Sequence, residues 1–161
     1  MGAAARLADL GLALPAVAAP VAAYVPAVRT GSLVHTSGQL PFVAGSLAIT
    51  GKVGAGVTAD EATALARICA LNALAAVAAL IESEGGPAGA DALDRVVRVV
   101  KVVGFVASDP SFTGQPGVIN GASTLLHDVL GPAGVHARSA VGVAVLPLDA
   151  PVEVEIVVET A

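Results

Sequence analysis

The C-terminal stretch His136-Ala-Arg-Ser-Ala-Val-Gly-Val-Ala-Val-Leu-Pro-Leu-Asp-Ala-Pro-Val-Glu-Val-Glu-Ile-Val-Val-Glu159 decides the reading of the fold. Over 139–146, small residues (Ala140, Gly142, Ala144) alternate with Val141, Val143 and Val145. Over 152–159, Val152, Val154, Ile156 and Val158 fall on one face and Glu153, Glu155 and Glu159 on the other. Strand side chains alternate between faces, so period two makes both runs strands. The short turn between them predicts a hairpin.

Upstream, Gly131-Pro132 ends a helix expected over 115–130, and Asp109-Pro110 turns the chain before it. The β-branched run over 94–107 predicts a long strand with a bulge at Gly104. A helix from Thr58 to about Glu84 opens with a capping box, Thr58 and Glu61, and stops at Gly85-Gly86-Pro87, followed by a loop over 85–92. Near the start, runs over 24–28 and 33–37 flank Thr30-Gly31 as a hairpin, and Gly45 to Gly56 punctuate a third short strand and a loop. The expected order is β-β-β-α-β-α-β-β, an α+β domain with two helices packed on one sheet face.

The 161 residues suit one domain over 1–161, with an N-terminal arm over 1–23 and a core over 24–159. Hydrophobic residues make up 55% and charged residues 13%, which excludes a disordered chain. Aromatics are 2%, so the core must be built from Ala, Val and Leu. A formal net charge of −5 leaves no basic footprint for nucleic acid. So little charge covers a monomer poorly, which predicts an oligomer. The single Cys69 allows no internal disulfide.

Mean hydropathy is +0.82, yet Arg67 and Asn72 interrupt the best spanning candidate, 64–81. Asp9, Pro15 and Pro20 spoil a signal peptide, and Arg6 stands where a myristoylation signal needs Ser or Thr. Leu7, Leu10, Leu12 and Leu14 predict a short helix and an arm packed on the body of a cytoplasmic protein.

His35, His127 and His136 lack metal-ligand spacing, and each reads as structural or surface. Cys69, mid-helix among apolar residues, reads as a buried inert thiol. Arg138 stands beside Ala140, Gly142 and Ala144, which leave room for a helix, another subunit or a ligand. Its fork matches a carboxylate, but the residues alone favour an ion pair with an acidic side chain. Glu153 and Glu155 read as a solvated strand face; a functional carboxylate would need partial burial. In one tight hairpin Arg138 and Glu153 would lie roughly 20 Å apart. They could then share a site only across a subunit boundary.

The segment from His136 to Glu155 resembles the C-terminal signature of the RidA/YjgF family: Ala-Arg-Ser, a valine-rich strand, Leu-Pro, a turn, then Glu-hydrophobic-Glu. Tyr24-Val-Pro-Ala-Val28, Thr36-Ser-Gly-Gln-Leu-Pro41 and Asn120 extend the likeness over most of the chain. The resemblance implies a chorismate-mutase-like fold, a homotrimer with clefts between subunits, and no metal or organic cofactor. It implies hydrolysis of enamines and imines, such as 2-aminoacrylate, to 2-keto acids and ammonia. This is a 2-iminobutanoate/2-iminopropanoate deaminase-like activity. Carried over by position, Arg138 would hold the substrate carboxylate and Glu153 would activate water beside Ser37 and Gly38. Tyr24 would close the cleft, and Asn120 would add a polar contact. Ala140 departs from the cysteine of many deaminase members, and Pro26 from a common glutamine. A binding module for small carboxylates is the alternative. An endoribonuclease, the family's historical L-PSP label, fits the acidic, aromatic-poor composition less well.

Overall fold

The computed structural model describes residues 1–17 and 22–161; positions 18–21 of the expected arm, Pro20 among them, lie outside the described residues. In chain order the elements are α1 (Ala3–Asp9), β1 (Ala27–Thr30), β2 (Leu33–Thr36), α2 (Ala59–Ser83), β3 (Val96–Ala107), α3 (Gln115–Leu130), β4 (Ala137–Val143) and β5 (Val152–Thr160). Five strands form one sheet in the order β1-β2-β5-β3-β4, with α2 and α3 on one face.

The expected capping box is present. The Thr58 hydroxyl accepts from the Glu61 N–H at 3.1 Å, and the Glu61 carboxylate accepts from the Thr58 N–H at 2.8 Å. Two of the orphan donors of the first turn are thereby satisfied. Helix α2 is long and apolar enough to cross a bilayer, but most of its residues are buried against the sheet and α3. Its buried Asn72 donates to the carbonyls of Leu40 and Phe42, both at 3.0 Å, which tethers the segment after β2. In α1, Ala3 and Leu7 are buried, and Asp94 accepts the Ala3 N–H at 2.6 Å. Leu12 and Leu14 also pack on the core, as the arm reading anticipated, but Leu10 is exposed.

Three expectations are corrected. The 139–146 and 152–159 runs are strands, but they do not pair as a hairpin. Strand β4 runs parallel to β3, with Arg138 opposite Val102, while β5 lies antiparallel on the other edge of β3, with Ile156 opposite Val102. A parallel pair needs a long crossover, which α3 supplies. The short turn at Pro147–Asp149 therefore passes from one edge of β3 to the other. It uses left-handed backbone at Leu148 and Asp149, where Lys52 pairs with Asp149 at 2.6 Å.

No third strand forms between β2 and α2, where only isolated bridges such as Val43 to Ser46 and Val53 to Ser108 occur. Nor does Gly104 mark a bulge. Its register with Ala140 and Val154 is regular, and the irregularities of β3 fall between Val96 and Arg98 and between Val99 and Lys101. Gly104 is instead a packing glycine: a Cβ there would lie 2.4 Å from Ile119 Cδ1 of α3.

The two glycines inside α3 make opposite demands. A Cβ at Gly121 would lie 2.0 Å from the Thr63 backbone oxygen of α2, whereas one at Gly117 meets nothing within 4 Å. Alanine improves a helix interior by about 0.5–1 kcal/mol over glycine. Overpacking against a backbone atom costs more, typically about 1–3 kcal/mol. Gly117→Ala is therefore expected to raise the urea midpoint and Gly121→Ala to lower it, by roughly 1 kcal/mol net for the latter. A raised midpoint for Gly121→Ala would show that α3 is not pressed against α2.

Candidate functional site

Arg138 sits on the edge strand β4, on the face that carries the helices. Its β3 neighbour Val102 is buried beneath them, and the direction of Gly104, two residues on, runs into α3. The guanidinium reaches over the first half of α3. Nη1 donates to Asn120 Oδ1 at 2.8 Å and to Ser123 Oγ at 3.2 Å, and Nη2 donates to the Pro116 carbonyl at 3.1 Å.

The ion pair favoured from the residues alone does not form. Among the described residues every partner of Arg138 is neutral, because the helix facing it offers an amide, a hydroxyl and a carbonyl. Of the five N–H donors of an arginine, Nε–H and one on Nη2 have no partner among the described residues. The small residues beyond Arg138 make room for α3. Ala140 packs on the core, and a Cβ at Gly142 would lie 2.8 Å from Gln115 Nε2.

One residue of this cluster, Ser123, was not singled out in the sequence, and His136 was read only as structural or surface. Ser123 follows Asn120 by three positions and so shares its helical face, a spacing that could have revealed it. His136 precedes Arg138 by two and shares its strand face.

Glu153 belongs to the opposite face. It pairs in register with Phe105 on the side without helices, and it is half-buried there. The pairing of His35 with Val157 gives way to that of Gln39 with Val154, so β2 and its continuation carry one extra residue over 36–38. At this bulge the Thr36 hydroxyl accepts the Ile156 N–H at 3.0 Å. Gly38 is brought against the Glu153 carboxyl so closely that any Cβ would overlap Oε1. Ser37 donates its hydroxyl to the Val25 carbonyl at 2.6 Å and its N–H to the Pro26 carbonyl at 2.8 Å. This ties the Tyr24 segment to the same end of the sheet, with Tyr24 itself exposed. Partial burial, then the charge of Glu155, raises the Glu153 pKa above the ordinary 4.5. The plain reading of a solvated face thus gives way to a carboxylate that holds its proton more tightly than usual.

The candidates therefore fall into two groups: Arg138 with Asn120, and Glu153 with Ser37, Gly38 and the Tyr24 segment. Register places Arg138 three positions along β3 and two strands across from Glu153, roughly 10 Å in each direction, with side chains on opposite faces. This replaces the hairpin estimate. One chain does not bring the two groups into one site.

Elsewhere, Cys69 is buried, and desolvation holds its thiol well above the usual range. Among the described residues no three His, Cys, Asp or Glu side chains gather to hold a metal ion.

Comparison with known proteins bears on this arrangement. Residues 4–160 match the family model described as "YjgF/chorismate mutase-like, putative endoribonuclease". The chain is 48% identical over 157 residues to Protein TCP17 of Trypanosoma cruzi, covering 97% of this chain and 92% of that one. Among solved structures it is similar to Atu1372 of Agrobacterium tumefaciens, a protein of unknown function, with a TM-score of 0.85, 45% identity and coverage of 99% and 92%. It is also similar to a "putative endoribonuclease" of Shewanella oneidensis MR-1, with a TM-score of 0.88, 33% identity and coverage of 99% of both chains. A single family model spanning the sheet, both long helices and all the candidate residues leaves one conclusion: the chain belongs to the YjgF/chorismate-mutase-like family.

Proposed function

We propose that the protein is a cytoplasmic hydrolytic deaminase of small enamines and imines of the 2-aminoacrylate type. It acts as a homotrimer in clefts between subunits. The observation that carries this reading is the state of Arg138. Its charge meets no carboxylate among the described residues, and two N–H donors remain on its fork. Such a fork binds a carboxylate in bidentate fashion. The placement of Arg138 and Glu153 on opposite faces supports assembly of the cleft from two copies. So do the exposed apolar side chains Val97, Val100 and Val141 of the sheet.

In this reading the enamine first tautomerises to an imine. Arg138 holds the substrate carboxylate, Asn120 steadies the guanidinium, and Tyr24 closes the cleft. Glu153 takes a proton from water, whose oxygen adds to the imine carbon. The C–N bond then breaks with proton transfer to nitrogen, releasing ammonia and leaving a 2-keto acid. Imines hydrolyse in water unaided, so positioning and one proton transfer suffice.

A second reading, capture of a small carboxylate without turnover, is favoured by Ala140. It contributes no reactive group and packs on the core. An RNA-cleaving role, the sense of the family description, has less support, because the chain carries a net charge of −5 and 2% aromatic residues.

The deciding experiment measures ammonia and keto-acid release from enzymatically generated imines of alanine, leucine and an aromatic amino acid. Wild type is expected to accelerate release, and Arg138→Ala to lose about 100-fold in kcat/KM, as for a charged hydrogen-bonded pair. Tight keto-acid binding with no acceleration by wild type would instead establish the binding reading.

The pH profile tests Glu153. A base must be ionised, so activity falls as pH drops, and a raised pKa places the half-point above 4.5. For stability the sign is opposite to that of a paired carboxylate. The folded state holds the proton more tightly, so stability is lost as pH rises from 4.5 through the raised folded value. Glu153→Gln is expected to abolish turnover yet gain stability relative to wild type above that window. An acid limb at or below the ordinary value would remove Glu153 from the role of base.

Sedimentation is expected to give three copies of the 15.6 kDa chain, and a stable monomer with full activity would refute the inter-subunit cleft.

A further inference from the structure

Behind Arg138 stands a directed chain of hydrogen bonds. His136 Nδ1 lies 2.6 Å from the Gly134 carbonyl oxygen, and its Nε2 lies 2.8 Å from Ser123 Oγ. A carbonyl only accepts, so Nδ1 carries a hydrogen, and in the neutral ring Nε2 is a bare acceptor. The Ser123 hydroxyl hydrogen then points at Nε2. That turns an oxygen lone pair toward Arg138 Nη1, 3.2 Å away.

The two bonded hydroxyls of α2 behave differently. Thr63 in α2 returns its hydroxyl to the carbonyl of Ala59 at 2.8 Å, and Ser83 bonds the Leu80 carbonyl at 2.7 Å. Such back-bonding is the local default for Ser and Thr in a helix. At Ser123 the imidazole takes the hydrogen instead. The anchor of the chain is itself confined. A Cβ at Gly134 would lie 2.2 Å from the Leu126 backbone oxygen, so the turn carrying its carbonyl is pressed onto α3.

We propose that His136, acting through Ser123, is a positioning residue that orients Arg138 and so aims the two open N–H donors of its fork. The proposal rests on the reading of Arg138 as the holder of the substrate carboxylate. With the hydroxyl hydrogen drawn to His136, Ser123 and Asn120 both accept from Nη1, and Pro116 accepts from Nη2. Rotation of the guanidinium is then opposed from the helix side. Without the imidazole the hydroxyl is free to turn to its helical default, and nothing then holds its lone pair toward Nη1.

The test uses the full-length protein and two readouts. These are the affinity for pyruvate by calorimetry, and steady-state hydrolysis of an imino acid beside an imine that lacks a carboxylate. Ser123→Ala and His136→Leu are each expected to weaken pyruvate binding and raise KM for the imino acid by about fivefold, the worth of one ordinary hydrogen bond. The expected kcat stays near wild type, and the carboxylate-free imine is unaffected. The double variant is expected to be no worse than either single, since both break one chain. Ser123→Thr keeps the hydroxyl and restores affinity. Alanine is a good helix former, so Ser123→Ala retains the fold, which thermal melting checks.

Unchanged pyruvate affinity in both single variants overturns the proposal. So do additive losses, or equal losses on both imines. Arg138→Ala run in the same assays separates the two failures. If it too leaves pyruvate affinity unchanged, the reading of Arg138 falls; if it alone destroys binding, only the relay falls.

Discussion

The missing side chain of Gly121 governs how deeply α3 lies against α2. With the Thr63 carbonyl 2.0 Å from where a Cβ would sit, no other residue permits this approach without moving a backbone. The consequence reaches the candidate site directly, because Asn120 and Ser123 flank Gly121 on the same helix and both receive Arg138 Nη1. Gly104 repeats the constraint on the other side of α3, where Ile119 fills the space above the sheet. A core poor in aromatics makes such close contacts possible. Alanine and glycine let elements approach, and dispersion over many short contacts replaces the area that a few large rings would have buried.

That geometry gives Arg138 a different electrostatic situation from other arginines of the chain. Arg29 spends its Nε and Nη2 edge on Glu84, at 2.9 and 2.7 Å to one oxygen, and is neutralised. Arg95 spends the same edge on the Ala161 carbonyl, at 3.2 and 2.7 Å. Arg138 instead is gripped by α3 through Nη1 and one Nη2 donor, so Nε–H and one Nη2 donor stay open. An arginine whose far donors are satisfied by neutral groups keeps its full charge and one preferred direction, a combination suited to an incoming anion.

What could be read from the sequence was whatever local geometry dictates. The Thr58 and Glu61 box and the Gly131-Pro132 stop are written in neighbouring residues, and both helices appear where those signals put them. Alternation in 152–159 likewise reports which side chains share a face. It does not report which strand lies alongside, since every strand of period two offers two equivalent edges. The short Pro147–Asp149 turn therefore suggested a hairpin, whereas the long β3 takes β4 and β5 on opposite edges. Gly104 was ambiguous for a similar reason: a bulge and a close helix contact both demand glycine. The separation of Arg138 from Glu153 was inferred from the wrong pairing. It stands on a better ground, their opposite faces.

The bulge over 36–38 shows how much can depend on a single residue of register. Side chains in a strand alternate, so one extra residue exchanges the faces of everything beyond it. Without it, β2 would continue in step with β5 and the position beside Glu153 would pass to a residue with a side chain. With it, Gly38 meets the carboxyl and Gln39 resumes pairing with Val154. The backbone group orphaned by the slip is not left unsatisfied, because Thr36 supplies its hydroxyl to the Ile156 N–H. Glu153 is thus partly desolvated by the glycine's close backbone and stands beside a second carboxylate, Glu155. Both conditions disfavour its ionised form. Folding gains nothing from either. A carboxyl placed where its charge is disfavoured, by a bulge that needs its own threonine to complete the hydrogen bonding, fits the role of base proposed for it above.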